Sequence, residues 1–336
     1  MKKNAIFKAI LLFFWICAAL AAAELIARVI MPMPLYFPRV NHKEAKWKEY
    51  RGVVIWDLKH VGHEDLDKKA IEAAKRTDAF KIVGLGDSIM FGSGIDAKDT
   101  YMSRLGSELE KSIGRKVEVA DLSQPGYNIR QESALFELLG VRIKPDLIIV
   151  HAWEDDLANY VVVGGVIYGA NVYTKTGVVR TIPLPPAINE YLILRSRFYQ
   201  SISLLAVAKR ERRGDEIRRG GAICRQALES IYKNAQKSRA EILILLSPNL
   251  AKGKIQPFSR TPDKHALYYM ITDWAKSRNV KVIDLSSVMA GVESETVRVD
   301  DVHFNKKGHD IILKILTGSI PAMYKKHDPA APSRGQ

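Results

Sequence analysis

The chain has 336 residues, of which 47% are hydrophobic and 26% charged, and a formal net charge of +14 at pH 7. This length and composition are those of an ordinary globular protein with room for one large α/β domain and an appendage, and they exclude a disulfide framework, because Cys17 lies in an apolar stretch and leaves Cys224 alone. The excess of basic residues indicates that the protein acts near anionic molecules or surfaces. No nucleic-acid-binding motif accompanies it, so nucleic acid is not expected as a partner.

The N-terminus has the features of a targeting segment. Three lysines precede the apolar run Ala9–Ala23, which is short for a membrane span of about twenty residues and suits a signal peptide with a small-residue cleavage site at its end. Apolar residues up to Ile30 extend the run, with Lys8 and Arg28 at its ends. We predict an uncleaved signal anchor over residues 1–31, with a cleaved signal peptide as the alternative. In both cases the basic end stays cytoplasmic and the body is exported.

Residues 32–79 are predicted to form a linker and an N-terminal extension. The stretch MPMPLYFPRV (31–40) contains three prolines, which is typical of an extended linker. One short strand is predicted at Val53–Leu58.

From Lys81 onward, short apolar runs alternate with amphipathic stretches, a pattern that predicts a parallel sheet with connecting helices over residues 80–320. The predicted strands are Lys81–Leu85, Val117–Leu122, Leu147–Ala152, Ile242–Leu246 and Val280–Asp284. The predicted helices are Tyr101–Ile113, Ile129–Val141, Gly221–Ser238, Pro262–Arg278 and Lys306–Leu316, followed by a flexible tail over 321–336.

An insertion of about 157–219 separates the third and fourth of these strands. It is too long for a simple crossover, and long insertions in compact domains usually carry function or move. We expect a hairpin in VVVGGVIYGANVYTKTGVV, an apolar helix near Tyr191–Val207, and a solvated helix or loop in the charged run Lys209–Arg219.

Polar residues follow the strands where functional groups gather in an open parallel sheet. Ser88 follows the first strand at the start of a helix, where free N–H groups favour an oxyanion. Gly126 follows the second strand, and its backbone N–H can approach a substrate closely. Near the C-terminus, Asp300 precedes His303 by three residues, so His303 could take the Ser88 proton while Asp300 fixes its tautomer.

Each motif taken alone has a simpler interpretation. Gly-Asp-Ser before a helix is more often a helix cap, Asp-x-x-His arises by chance, and Gly126 could be a turn glycine. Their joint occurrence, in order and at strand ends, favours the catalytic interpretation.

At these residues the chain resembles the SGNH, or GDSL, hydrolases. GLGDSIMFGSG is similar to their block I, DLSQPGYNIRQE to block II, KPDLIIVHAWEDDLAN to block III and DDVHFNKKGHDII to block V. The resemblance covers about Phe80–Leu316, and an N-terminal anchor is common among membrane-tethered bacterial members. It implies a flavodoxin-like, three-layer α/β/α domain after one transmembrane helix, in the bacterial inner membrane with the catalytic domain in the periplasm.

The resemblance also implies the role of each residue. Ser88 corresponds to the nucleophile, and Asp300 and His303 to the acid and base of the triad. The N–H groups of Ser88 and Gly126 correspond to two oxyanion donors. The family hydrolyses or transfers acyl groups on esters, often acetyl groups on polysaccharides, without a metal or another cofactor.

Block III departs from the family pattern. The family has Gly-x-Asn-Asp, whose Asn is the third oxyanion donor, whereas Asp155 stands at that position here. A carboxylate accepts hydrogen bonds and repels an oxyanion, and the loss of one donor costs about 10²–10³ in rate.

Three functions are therefore compared. The leading prediction is an exported, membrane-anchored esterase or acyltransferase acting on acylated envelope or secreted glycans. The alternative is a catalytically impaired carbohydrate-binding or assembly protein that keeps the fold, which Asp155 supports. The third is a metal-dependent phosphoesterase, for which the carboxylate and imidazole ligands would be Asp87, Glu154, Asp155, Asp156 and His303.

Overall fold

The computed structural model describes residues 2–30, 46–50, 53–57, 66–153, 160–163, 166–169, 184–185, 188, 191–192, 195–199, 201–202, 214–250, 252–258 and 266–327. The chain forms two compact units. One unit contains Met1–Asn41 and Tyr160–Gly214, and the other contains His42–Asn159 and Asp215–Gln336.

Nine strands and ten helices are numbered here along the described parts of the chain. The strands are β1 (Lys46–Tyr50), β2 (Val53–Asp57), β3 (Phe80–Gly86), β4 (Val117–Asp121), β5 (Leu147–Ala152), β6 (Tyr160–Val163), β7 (Val166–Gly169), β8 (Glu241–Leu246) and β9 (Lys281–Asp284). The helices are α1 (Lys2–Ile30), α2 (Leu66–Lys75), α3 (Ser88–Phe91), α4 (Tyr101–Ile113), α5 (Ile129–Leu135), α6 (Val141–Ile143), α7 (Gly214–Ser238), α8 (Ala266–Ser277), α9 (Leu285–Val288) and α10 (Lys306–His327), with a π-helical turn at Phe136–Gly140 between α5 and α6.

The larger unit is built on a parallel five-stranded sheet with the order β4-β3-β5-β8-β9. Strands β3 and β5 are buried along their whole length, as expected for short Val-, Ile- and Leu-rich runs covered on both faces. In chain order the sheet reads 2-1-3-4-5, which is the flavodoxin-like arrangement. The predicted fold class is confirmed.

Helices cover both faces of this sheet. The connection from β3 to β4 runs in the opposite direction to the later connections, and right-handed crossovers therefore place α4 on one face and α5, α7 and α8 on the other. Helix α10 joins α4 on the first face, where Arg104 pairs with Asp310. On the second face, Trp274 of α8 donates to Glu229 of α7 at 3.2 Å. The result is a three-layer α/β/α domain.

The core of the first face is made by the apolar stripes of α4 and α10. Met102, Leu105 and Leu109 recur at helical spacing on α4 and are fully buried. Leu316 and Ile320 of α10 belong to the same buried cluster. This packing, together with the Arg104–Asp310 pair near the start of α10, fixes the helix and with it the loop that precedes it.

The structure corrects several predicted bounds. Helix α10 continues past Leu316 to His327, so the tail predicted over 321–336 is helical at its start, where Met323 is buried. Helix α7 begins at Gly214 rather than Gly221, within the charged run. Strand β1 and helix α2 were not predicted within the 32–79 extension, because β1 is a short polar segment and the buried residues of α2 are small alanines, Ala70 and Ala73, which give a weak apolar signal.

In the smaller unit, β6 and β7 form the antiparallel hairpin predicted in the insertion. The described residues near Tyr191 are partly helical, but Ser196 is not, so helical structure is interrupted there. Helix α1 contains a stretch, Ile10–Ile30, that is long and apolar enough to cross a membrane, a criterion that a signal sequence also meets.

Candidate active site

The nucleophile candidate stands at a sharp turn after β3. The Asp87 side chain accepts a hydrogen bond from the N–H of Ile89 at 2.8 Å and thereby caps α3. A Cβ on Gly86 would lie 2.7 Å from the Cβ of Met90, so only glycine lets α3 fold back this tightly on the strand. Ser88 is consequently the first residue of α3 and is half-buried.

The loop before α10 carries the other two triad candidates. The carboxylate of Asp300 accepts hydrogen bonds from the backbone N–H groups of Val302 at 2.9 Å and His303 at 2.7 Å. Asn305 braces the loop by donating to the carbonyl oxygens of Thr296 and Arg298. The loop is therefore held by hydrogen bonds between two of its own side chains and its backbone.

Ser88, His303 and Asp300 form one continuous chain of hydrogen bonds. His303 Nε2 lies 2.8 Å from Ser88 Oγ, and His303 Nδ1 lies 2.8 Å from Asp300 Oδ2. Serine and histidine are 215 positions apart in sequence. Both distances are within the range in which a base can take a hydroxyl proton and a carboxylate can orient the base.

Asp300 is electrostatically suited to this position. Burial by itself would raise its pKa, but the hydrogen bonds from the His303 ring and from the backbone N–H groups of His303 and Val302 lower the pKa below the ordinary value. Asp300 is therefore an anion at neutral pH, next to the imidazole nitrogen that faces away from Ser88.

Gly126 lies in the loop that follows β4. The N–H of Gln124 donates to the carbonyl oxygen of Gly86 at 3.0 Å, which continues the β3–β4 pairing up to the Ser88 turn. Gly126 has a φ of +77°, in the left-handed region that favours glycine. Asn128 closes the loop with a reciprocal capping box to Gln131. The glycine is thus fixed between two hydrogen-bonded ends.

Some of the remaining predicted site residues lie within the described parts of the chain and others lie outside them. Asp155, with Glu154 and Asp156, lies outside the described residues. Asp87 lies in the Ser88 turn as a helix cap. Over the residues that the structure describes, no group of three or more histidine, cysteine, aspartate or glutamate side chains could hold a metal ion.

A buried polar cluster beneath the Ser88 turn was not predicted. His151 is the sheet partner of Gly86, and its Nδ1 lies 2.8 Å from the hydroxyl of Tyr101. The backbone N–H of Tyr101 donates to His309 Nδ1 at 3.1 Å. Tyr101, His151 and His309 are fully buried. No sequence motif indicated this cluster, because its members come from β5 and from the starts of α4 and α10.

Burial lowers the pKa of both histidines in this cluster. The pKa of His151 falls to about 3, mainly through burial and in addition through the neighbouring His309. Burial likewise lowers the pKa of His309 to about 4, with opposing contributions from Asp310 and Arg104. Both rings are therefore neutral at pH 7 and support the turn without carrying charge.

Comparison with known proteins gives only distant similarities. No protein-family profile and no curated protein sequence matches the chain. A structure of a lipolytic protein of the G-D-S-L family from Desulfitobacterium hafniense is 13% identical, with a TM-score of 0.42 over 71% of this chain and 98% of that one. The esterase EstA from Pseudoalteromonas, inhibited by monoethylphosphonate, is 12% identical, with a TM-score of 0.43 over 73% and 98%.

A two-domain esterase active on acetylated mannans is 14% identical, with a TM-score of 0.46 over 79% of this chain and 55% of that one. Because these scores lie below 0.5, the functional interpretation depends on the chain's own geometry. The chain resembles the SGNH hydrolases in the order of its strands, in the order of its motifs along them, and in the hydrogen-bonded set of Ser88, His303 and Asp300.

Proposed function

We propose that this protein is a membrane-anchored serine esterase or acyltransferase of the SGNH type, which removes or transfers acyl groups, such as acetyl, on an envelope or secreted glycan. The observation that carries the proposal is the continuous hydrogen-bonded path from Ser88 through His303 to Asp300. A helix cap alone does not need an imidazole against the serine hydroxyl, whereas a nucleophile does.

The proposed reaction follows from this arrangement. His303 Nε2 takes the hydroxyl proton while Ser88 Oγ attacks the acyl carbonyl carbon, and Asp300 stabilises the imidazolium that forms. The oxyanion of the tetrahedral intermediate accepts from the N–H groups of Ser88 and Gly126. Collapse breaks the ester bond, and His303 returns the proton to the departing alkoxide. Water or an acceptor hydroxyl then attacks the acyl-enzyme by the same steps.

A glycan substrate is supported by the charge of the chain. The formal charge of +14 suits an acidic polymer or a surface bearing one. The competing function, a carbohydrate-binding or assembly protein without hydrolysis, is supported by the carboxylate of Asp155 at a position where the family has an amide.

The test is hydrolysis of p-nitrophenyl acetate and of acetylated glycans by the full chain and by Ser88→Ala. Ser93→Ala, five residues along and also half-buried, is the matched control. We expect Ser88→Ala to lose at least about 10³-fold in kcat while Ser93→Ala keeps the wild-type rate. The binding protein would be supported instead if the wild type hydrolysed neither ester and bound the glycan as tightly as the Ser88→Ala variant does.

The proposal also assigns α1 as a single-pass inner-membrane anchor with the catalytic domain in the periplasm. Its apolar side chains are largely exposed, for example Phe13 at 69% and Val29 at 74%, and a bilayer would cover them. The lysines before Ala9 suit the cytoplasmic side.

Reporter fusions test this topology. Alkaline phosphatase fused to the C-terminus should be active, and green fluorescent protein at the same position should be dark after export. N-terminal sequencing of the membrane fraction should begin at Met1 rather than after Ala23, because the anchor is proposed to stay uncleaved. Activity of a cytoplasmic reporter at the C-terminus would reverse the orientation.

A further inference from the structure

A carboxylate near the end of α1 binds a segment far away in sequence. Glu24 accepts from the hydroxyl of Ser196 at 2.7 Å and from the backbone N–H groups of Arg197 and Phe198, both at 3.1 Å. Arg28 pairs with the same carboxylate at 2.7 Å and also donates to the carbonyl oxygen of Arg195 at 3.0 Å. Glu24 thus caps the helical turn that starts after Ser196 and ties it to the anchor helix.

The position of Glu24 along α1 indicates how deep in the membrane this contact lies. The uncharged run Ala9–Ala23 precedes it and, at about 1.5 Å per residue, rises about 22 Å. Because a hydrocarbon core is about 30 Å thick, a helix that enters after Lys8 brings Glu24 close to the outer boundary of that core.

A carboxylate at that depth requires hydrogen-bond donors, since water is scarce there. Three of the donors to Glu24 belong to residues 196–198, which must therefore lie at the same level.

The neighbouring residues present an amphipathic surface. Ile188, Tyr191 and Arg195 follow at helical spacing of three and four, and all three are exposed, Ile188 by 50% and Tyr191 by 56%. The Arg195 guanidinium lies 4.5 Å over the Tyr191 ring. These three residues are called the interfacial face. Leu184 and Leu192, by contrast, pack inward against the buried Tyr199.

We propose that the interfacial face lies in the outer surface of the lipid bilayer beside α1, so that the insertion makes a second contact with the membrane. The exposed Ile188 can enter the acyl boundary, while tyrosine and arginine are the side chains that settle at the headgroup level. Arg195 and Arg197 favour anionic phospholipids, whereas the charge of Arg28 is balanced by Glu24. The proposal rests on the membrane anchorage of α1 proposed above.

Depth-dependent quenching in liposomes tests separately whether α1 is inserted in the bilayer and whether the interfacial face lies at the bilayer surface. The full chain is labelled with the fluorophore NBD at the native Cys17, or at Ile188→Cys or Ser107→Cys in a Cys17→Ser background. The remaining Cys224 is buried, and Ser107 is an exposed position on α4. Vesicles of phosphatidylcholine and phosphatidylglycerol carry a nitroxide either shallow or deep on the acyl chain.

We expect the deep nitroxide to quench Cys17, the shallow one to quench position 188 at least threefold more than position 107, and anionic lipid to strengthen this quenching. Quenching at Cys17 with none at position 188 would overturn the interfacial face and leave the anchor standing. No quenching at Cys17 would overturn both. A second copy of the chain would be the partner instead if the NBD emission at position 188 shifted to the blue with rising protein concentration in detergent and showed no nitroxide quenching in vesicles. That result would overturn the lipid assignment.

The Glu24 contact is tested in the same assay. Glu24→Ala removes the acceptor, so quenching at position 188 should fall at least twofold, whereas Glu24→Gln keeps one acceptor oxygen and should fall less. Glu72→Ala is the matched control, because Glu72 is also an acid paired at i and i+4, with Lys68, on the exposed side of α2. Equal quenching at position 188 in Glu24→Ala and Glu72→Ala would overturn the role of the contact, and unchanged quenching at Cys17 would show that α1 is still inserted.

Discussion

The turn after β3 requires one side chain that caps α3 and one hydroxyl that contacts His303, and Asp87 and Ser88 each provide one of them. A serine at the start of a helix can itself cap the helix, which would occupy its hydroxyl with a backbone N–H. Here Asp87 provides the cap by accepting from Ile89, and the hydroxyl of Ser88 faces His303 instead. The aspartate is therefore more than a neighbour of the nucleophile candidate, because it leaves the serine hydroxyl available for proton transfer.

Asp155 is the position at which the proposed oxyanion site departs from the family pattern. In the proposed block III alignment, an ionised Asp155 opposes the negative charge that develops on the substrate oxygen. Asp155→Asn keeps the shape and restores a neutral donor. We expect the substitution to raise kcat on p-nitrophenyl acetate by about tenfold or more, since one oxyanion donor is worth about 10²–10³ in rate.

Two other outcomes would assign Asp155 differently. Loss of transfer to the glycan with model-ester hydrolysis unchanged would indicate that the carboxylate binds the acceptor hydroxyl. A loss of both activities would contradict the view of Asp155 as a defective oxyanion residue and make its carboxylate necessary for the chemistry.

At the scale of an element, the loop after β4 depends on the left-handed conformation of Gly126. A side chain at a φ of +77° costs about 1–2 kcal/mol, and relief of that strain would turn the Gly126 N–H away from the proposed oxyanion position. We expect Gly126→Ala to lower kcat at least about tenfold with a smaller change in KM, because the proposed oxyanion donor acts mainly in the transition state.

Gly114 offers a matched control for this experiment. It has a φ of +71° at the end of α4, and a Cβ there would have no neighbour within 4 Å. Gly114→Ala should therefore lose similar stability in urea unfolding and keep the wild-type kcat. Equal kcat values for the two variants would show that Gly126 is a turn glycine without a catalytic role.

The sheet strands were predictable from the sequence, whereas the end of α10 was not. Strands such as Leu147–Ala152 are continuous apolar runs bounded by turn residues, which is a local signal. For α10, Gly318 and Pro321 predict an early end, since proline removes a backbone donor. The helix nevertheless continues, because Ile320 is buried and the Tyr324 ring packs edge-on against Phe80 at 5.2 Å. Tertiary packing here outweighs a local preference that the sequence shows.

The candidate site divides in the same way. Ser88 and Gly126 stand in recognisable motifs directly after β3 and β4, so topology brings them to one edge of the sheet. Asp300 and His303 also stand in a motif, but it lies well after the end of β9 at Asp284, and the packing of α10 on α4 places it. The contact of Tyr101 with His151 has no such signal. It joins a strand end to a helix start, and only the packed structure shows that the two side chains meet.

At the scale of the whole molecule, the neutral histidines link folding to pH. Burial lowers the pKa of His309 from 6.5 to about 4 and that of His151 from 6.5 to about 3. The unfolded chain exposes both rings, so at pH values between the folded and unfolded pKa it binds more protons than the folded chain does. The free energy of unfolding therefore falls as the pH drops below 6.5. Above pH 6.5 the two buried histidines no longer reduce it.

We expect urea unfolding of the full chain in detergent to show this loss between pH 6.5 and about 4. At about 1.4 kcal/mol per pH unit for each proton, His309 alone contributes about 3 kcal/mol across that window. His309→Gln keeps an acceptor for the Tyr101 N–H but cannot take up a proton, so its stability should fall less steeply with acid than that of the wild type. A variant that loses stability as steeply as the wild type over this range would show that His309 is not buried neutral against α4, and that the acid sensitivity of the fold has its origin elsewhere.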